Sequence, residues 1–218
     1  MARIRVHLYG DKHARRLLLQ PVDSQELKLM DSEVEELTKL TGGTNWCLVA
    51  MEVHDWNKEL SPWEAPAVFG DEPFGHDADR TLNDIIWYIH TFCKMYPGRP
   101  REFYLGGYSL AGFFALWTAY QTGQFVGIAA ASPSVWFPGW LDYSRKNQIH
   151  TPRVYLSLGD KEEQAKNPLL ASVCEAIQEQ KKILTQDGVT CQLDWNPGNH
   201  FVDSEKRMAK GFAWLLTH

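Results

Sequence analysis

Residues 101–117 read Arg101-Glu102-Phe103-Tyr104-Leu105-Gly106-Gly107-Tyr108-Ser109-Leu110-Ala111-Gly112-Phe113-Phe114-Ala115-Leu116-Trp117. Phe103, Tyr104 and Leu105 form a short apolar run of strand type. A turn of small residues follows, and then an apolar segment of helical length. Within the turn, Gly107-Tyr108-Ser109-Leu110-Ala111 fits small-x-Ser-x-small, the pattern of a nucleophile elbow, with Ala111 where a second glycine is usual. The spacing has a steric origin. A serine on the tip of a tight strand-to-helix turn strains its own backbone, and large side chains two residues to either side would collide. A helix beginning at Leu110 aims free N–H groups and its positive dipole end at any oxyanion forming beside Ser109. A bare pattern of this kind arises by chance in roughly one chain in seven of this length, so the flanks and the downstream partners decide its meaning.

Outward from the elbow, strands and helices alternate. Upstream, residues 2–9 alternate polar and apolar, which suits a half-exposed edge strand. Arg16 to Gln20 is a second strand ending at Pro21, and with the first it makes an N-terminal hairpin. Apolar positions from Leu27 to Leu40 follow helical spacing up to Gly42-Gly43, and Trp46 to Met51 is a continuous apolar run, as in a strand covered on both faces. A helix is predicted over 79–95, stopped by Pro97-Gly98. Downstream come strands at 125–132, 154–158 and 189–195, with helices over 168–186 and 200–216 and an irregular excursion over 133–149. This order predicts a mostly parallel sheet with an antiparallel N-terminal edge and helices on both faces.

A chain of 218 residues suits one α/β domain, and no repeat or linker divides it. A net charge of −5 without any Lys/Arg run excludes nucleic acid and anionic membranes as expected partners. The N-terminus carries no apolar leader, and no apolar run reaches transmembrane length, so the expected location is the cytoplasm. Cys47, Cys93, Cys174 and Cys191 are scattered without C-x-x-C spacing and read as free thiols. No metal-ligand cluster is visible, and no cofactor is expected.

Serine is a poor nucleophile until a base takes its proton, and the base needs an acid to fix its tautomer. After an elbow these partners follow in the order acid, then histidine, on loops after later strands. The loop after Leu158 reads Gly159-Asp160-Lys161-Glu162-Glu163. The spacing G-x-x-acid favours Glu162, with Asp160 as the alternative and Glu163 behind both. His200, in Asn196-Pro197-Gly198-Asn199-His200-Phe201, follows the last strand and supplies the base. The Leu110 N–H is one oxyanion donor by position. The second belongs to the loop after Gln20 and, since Pro21 has no N–H, falls to Val22 or Asp23. The segment 54–79 has no period but holds Trp56, Trp63, Phe69 and Phe74, and the excursion adds Trp136, Phe137 and Trp140. Of these, Trp56, Trp63 and Trp136, together with Tyr108, are the candidate lining of a substrate pocket.

On these residues the chain resembles the α/β-hydrolase superfamily, and within it the esterase branch of esterase D-like and enterochelin-esterase-like proteins. The resemblance is carried by Gly107 to Gly112, Ala131-Ser132-Pro133-Ser134-Val135-Trp136, Gly159-Asp160-Lys161-Glu162, Gly198-Asn199-His200 and Leu60-Ser61-Pro62-Trp63. It implies one α/β-hydrolase domain over 1–218 and hydrolysis of a small-molecule carboxylic ester through an acyl-enzyme. Ser109 would be the nucleophile, His200 the base and Glu162 its orienter. The chain departs from the pattern in its short N-terminal hairpin, in lacking an HGGG-type oxyanion sequence, and in having no insertion long enough for a large lid. An open site is expected. The alternatives are a non-catalytic binding protein on the same fold, or the same three residues used on a thioester or a peptide.

Overall fold

The structure, a computed structural model, describes residues 5–68, 70–97 and 101–218. The expected strand start at residues 2–4, Phe69 of the aromatic segment and Gly98 of the helix stop lie outside the described residues. Seven strands of the described residues make one sheet: β1 (Val6–Gly10), β2 (Arg16–Val22), β3 (Cys47–Glu52), β4 (Glu102–Tyr108), β5 (Gly127–Ala131), β6 (Arg153–Gly159) and β7 (Thr190–Asn196). Their order is β1-β3-β2-β4-β5-β6-β7, so the elbow strand β4 is central. β1 runs antiparallel to β3, and the other neighbouring pairs are parallel.

The first two strands do not form the expected hairpin, because β3 lies between them. The patterns explain the exchange. β3 is buried from Cys47 to Met51 and needs a neighbour on each side, whereas the alternating β1 tolerates an edge. Pro21 does not end β2 either. The strand runs on to Val22, pairing with β3, after its pairing with β4 has stopped at Leu19. Proline's missing N–H therefore falls where one side of the strand is already open.

The helices are α1 (Met30–Thr41), α2 (Trp56–Glu59), α3 (Ala78–Met95), α4 (Ser109–Gln121), α5 (Trp140–Lys146), α6 (Pro168–Ala171), α7 (Val173–Gln186) and α8 (Ser204–Thr217). Strand side chains alternate between two cores. Leu18, Leu48, Tyr104 and Ala129 pack with Leu37 of α1 and Phe212 of α8 on one face. Leu17, Val49, Leu105 and Leu156 pack with Ile85 of α3, Phe113 of α4 and Ile177 of α7 on the other. Each fully buried aliphatic side chain contributes about 1.5–3 kcal/mol, so a one-residue slip of any inner strand would exchange the two cores and is excluded.

α4 carries no charged residue and is buried from Leu110 to Tyr120. Its outer side is covered by aromatic residues from the irregular segments. Trp63 stands edge-on to Phe113 and Phe137, and Trp140 stands edge-on to Phe113 and Tyr120. None of the helices among the described residues is long and apolar enough to cross a membrane.

Candidate active site

Parallel strands deliver their following loops to one edge of a sheet, which is where ligands of such folds bind. β4, β6 and β7 bring three sequence-distant segments together there. At the end of β4 the chain turns into α4 with Ser109 at φ 56, in the left-handed region. A methyl group on Gly107 would lie 2.5 Å from the Ala111 carbonyl oxygen, so the turn closes only around glycine at that position. The strain of Ser109, of the order of 1–3 kcal/mol, is held by the packing of α4 and by the Ser134 N–H, which donates to the Ser109 carbonyl at 3.1 Å.

His200 lies between the other two groups. Its Nε2 is 3.0 Å from Ser109 Oγ and its Nδ1 is 2.9 Å from Glu162 Oε2. Burial pushes the Glu162 carboxyl up, but hydrogen bonds from His200, from Ser132 and from the Gly159 N–H outweigh it and leave the group below its ordinary value. An ionised carboxylate only accepts. Nδ1 therefore carries the imidazole proton, and Nε2 is left to accept from the Ser109 hydroxyl. The expected helix over 200–216 begins instead at Ser204, after Asp203 at φ 53, which leaves His200 on a loop.

Of the three acids in the loop after β6, the geometry separates one. Glu162 is buried against His200, whereas Glu163 is exposed. Asp160, also exposed, accepts the Gly198 N–H at 2.8 Å and so ties this loop to the one bearing His200. The other oxygen of Glu162 receives three donors: the Gly159 N–H at 2.7 Å, Ser132 Oγ at 2.7 Å and Arg207 Nη1 at 3.0 Å. Gly159 admits this packing, since a methyl there would sit 3.0 Å from both Glu162 Oε1 and Arg207 Nη2.

Arg207 escaped the sequence reading, and Ser132 entered it only within the segment 131–136, with no role of its own. For Arg207 a signal exists: it occupies the apolar stripe of α8 with Met208, Gly211, Phe212 and Leu215, where a charge demands a buried partner. Ser132 shows none by pattern. Among the described non-glycine residues, positive φ is confined to Ser109, Ser132 and Asp203; the first two are hydrogen-bonded to His200 and to Glu162, and the third precedes α8.

A cavity of about 100 Å³ opens beside Ser109 and His200, walled by Trp136, Ala165, Leu170, Val173 and the exposed Phe201. Of the four candidate lining residues, Trp136 stands in this wall. Tyr108, Trp56 and Trp63 are not part of this wall. Tyr108 is buried behind His200, donating its hydroxyl to the His200 carbonyl at 2.7 Å, and burial pushes that hydroxyl up to about 12. Trp63 covers α4 and donates Nε1–H to the Pro138 carbonyl at 2.8 Å, while Trp56 opens α2 and packs on the core.

Leu110 lies in the first turn of α4, where N–H groups have no intrahelical acceptor. Val22 is a correction. Its carbonyl accepts from Val53 N–H at 2.9 Å, and in an extended strand the N–H of the same residue points the same way, toward β3 and away from Ser109. Asp23 N–H faces the Glu26 carboxyl at a long 3.3 Å.

No family model matches the chain, and no curated protein matches it. Solved structures do. An IroE-like serine hydrolase from Shewanella oneidensis superposes with a TM-score of 0.78 over 97% of this chain and 75% of its own, at 14% identity. This is the α/β-hydrolase fold. Two siderophore hydrolases from Aspergillus nidulans share it. EstA gives a TM-score of 0.73 at 17% identity, covering 97% of this chain and 89% of its own. EstB gives 0.70 at 16% identity, covering 96% and 88%. The α/β-hydrolase fold accounts for the central elbow strand and for the loops that gather above it.

Proposed function

We propose that this chain is a serine hydrolase acting on carboxylic esters through an acyl-enzyme. The observation that carries the reading is the continuous hydrogen-bonded chain Ser109–His200–Glu162, with contacts of 3.0 and 2.9 Å and a carboxylate held ionised at its end. Ser109 Oγ attacks the ester carbonyl carbon while its proton passes to His200 Nε2. Glu162 steadies the imidazolium through Nδ1–H. The Leu110 N–H stabilises the oxyanion, and Asp23 N–H is the second donor once it turns from Glu26 to the stronger charge. Collapse breaks the bond to the alkoxide, which leaves with the proton from Nε2. Water, deprotonated by the same nitrogen, attacks the acyl carbon, and the carboxylic acid departs as Ser109 recovers its proton.

The esterase and siderophore-hydrolase names of proteins with this fold agree with an ester substrate. The open position of Ser109 agrees with a small molecule. The test is labelling by a fluorophosphonate probe together with the burst of p-nitrophenol from p-nitrophenyl acetate. Wild type is expected to label and burst, and Ser109→Ala to do neither. Equal behaviour of the two proteins would instead make the chain a ligand-binding protein on a hydrolase fold.

A further inference from the structure

Arg207 stands outside the Ser109–His200–Glu162 chain and is 1% exposed. A buried ion pair is weak support for a fold, since apolar residues of similar volume often do as well. What Arg207 touches is more informative. Nη1 donates to Glu162 Oε1 at 3.0 Å, to Ser132 Oγ at 3.0 Å and to Tyr108 Oη at 3.1 Å. Nη2 donates to the carbonyls of Pro197 at 3.2 Å and Asn199 at 2.9 Å, within the loop that ends in His200. Tyr108, gripped by the same guanidinium, donates to the carbonyl of His200 itself. The imidazole is therefore held from both ends by one cation, through its backbone and through its acid.

The charge matters as much as the grip. A lone buried carboxylate beside an imidazole favours the imidazolium, and an imidazolium cannot take the serine proton. Arg207 reaches the Glu162 oxygen that His200 does not use and offsets that charge. The other groups around His200 are the Ser109 hydroxyl from α4, the Tyr108 hydroxyl from β4, and Asp160 on the Gly198 N–H. Beyond them lies the Asp203–Lys206 pair on the first turn of α8, which is exposed and screened. None of these supplies a buried positive charge. We infer that Arg207 is the positioning residue of this site, clamping the His200 loop and balancing Glu162 so that the imidazole stays a free base at neutral pH.

The inference rests on the hydrolase reading above, so its test has one arm that needs no turnover. The first arm is the pH dependence of kcat/KM for p-nitrophenyl acetate. The second is the NMR titration of the His200 imidazole, assigned by its loss in H200Q. The neutral variants R207M and R207Q are expected to move both the acid limb and the imidazole midpoint upward by about one pH unit. R207K, which keeps the charge but not the fork, is expected to leave both in place and to lose about tenfold in kcat/KM through the loosened loop. An unmoved limb and midpoint in a folded neutral variant would overturn the inference. So would failure of both neutral variants to fold, because Arg207 would then serve the fold alone. If wild type shows no Ser109-dependent turnover, the hydrolase reading fails, and the titration still decides what Arg207 does to His200.

Discussion

Glu162 is distinguished from its neighbours by what reaches its two oxygens: an imidazole on one, and a main-chain amide, a hydroxyl and a guanidinium on the other. Replacing it by glutamine leaves a group that can present N–H to Nδ1 and reverse the tautomer. Glu162→Gln is therefore expected to lower kcat by a factor on the order of 10⁴. Asp160→Asn removes only part of a loop tie, so kcat within about tenfold of wild type is expected. Steady-state kinetics of the two variants side by side decide the assignment, and the reverse ranking would hand the role to Asp160. The spacing G-x-x-acid made Glu162 legible beforehand. The partnership of Arg207 with Glu162 and Ser132 was not: a charge in the apolar stripe of α8 calls for a buried partner, but a hydrogen bond between residues 45 or 75 positions apart leaves no pattern that names it.

At the scale of elements, the aromatic segments divide into covers and walls. Trp63 lies over α4, so Trp63→Ala is expected to cost on the order of 2 kcal/mol of stability with KM unchanged. Trp136→Ala opens the cavity beside Ser109 and is expected to change KM severalfold with a smaller loss of Tm. Thermal melts and KM values that showed the opposite division would put Trp63 in the pocket after all. Aromatic content alone could not separate the two roles, since both bury a ring against apolar neighbours.

The packing of α1 carries a second consequence. Glu33 of α1 is buried, accepts from Gln20 Nε2 at 3.1 Å, and is pushed up to about 8, chiefly by burial. A carboxyl raised in the folded state contributes stability that is complete below its unfolded value near 4.3 and is lost as the pH rises through 8. Glu33→Gln keeps the shape without the ionisation. The variant is expected to raise Tm at pH 8 by roughly 5 °C relative to wild type, and by much less at pH 5. Equal shifts at the two pH values would show that the Glu33 carboxyl is not raised by folding.

For the whole molecule, the size of the cavity sets an expectation about substrates. An apolar cavity of 150 Å³ holds a benzene ring, and the space beside Ser109 is about 100 Å³. In a panel where acyl and alcohol parts are lengthened separately, one of the two is expected to give the highest kcat/KM at about two to four carbons and to fall steeply beyond. A flat profile for both would show that neither part enters the cavity. From the amino-acid order alone one could read the alternation of strands and helices, the elbow at Ser109, and the candidates His200 and Glu162. Each of these is written in local spacing: period two, period 3.6, or small residues where a turn crowds its own backbone. Tertiary structure decided that β3 separates β1 from β2, that Tyr108 and Trp63 turn away from the cavity, that Val22 points to β3, and that Arg207 stands behind Glu162. Those outcomes depend on which surfaces meet once the sheet is assembled: long-range burial and hydrogen-bond satisfaction settle them, and local sequence shows at most that a residue needs a partner, not which one it finds.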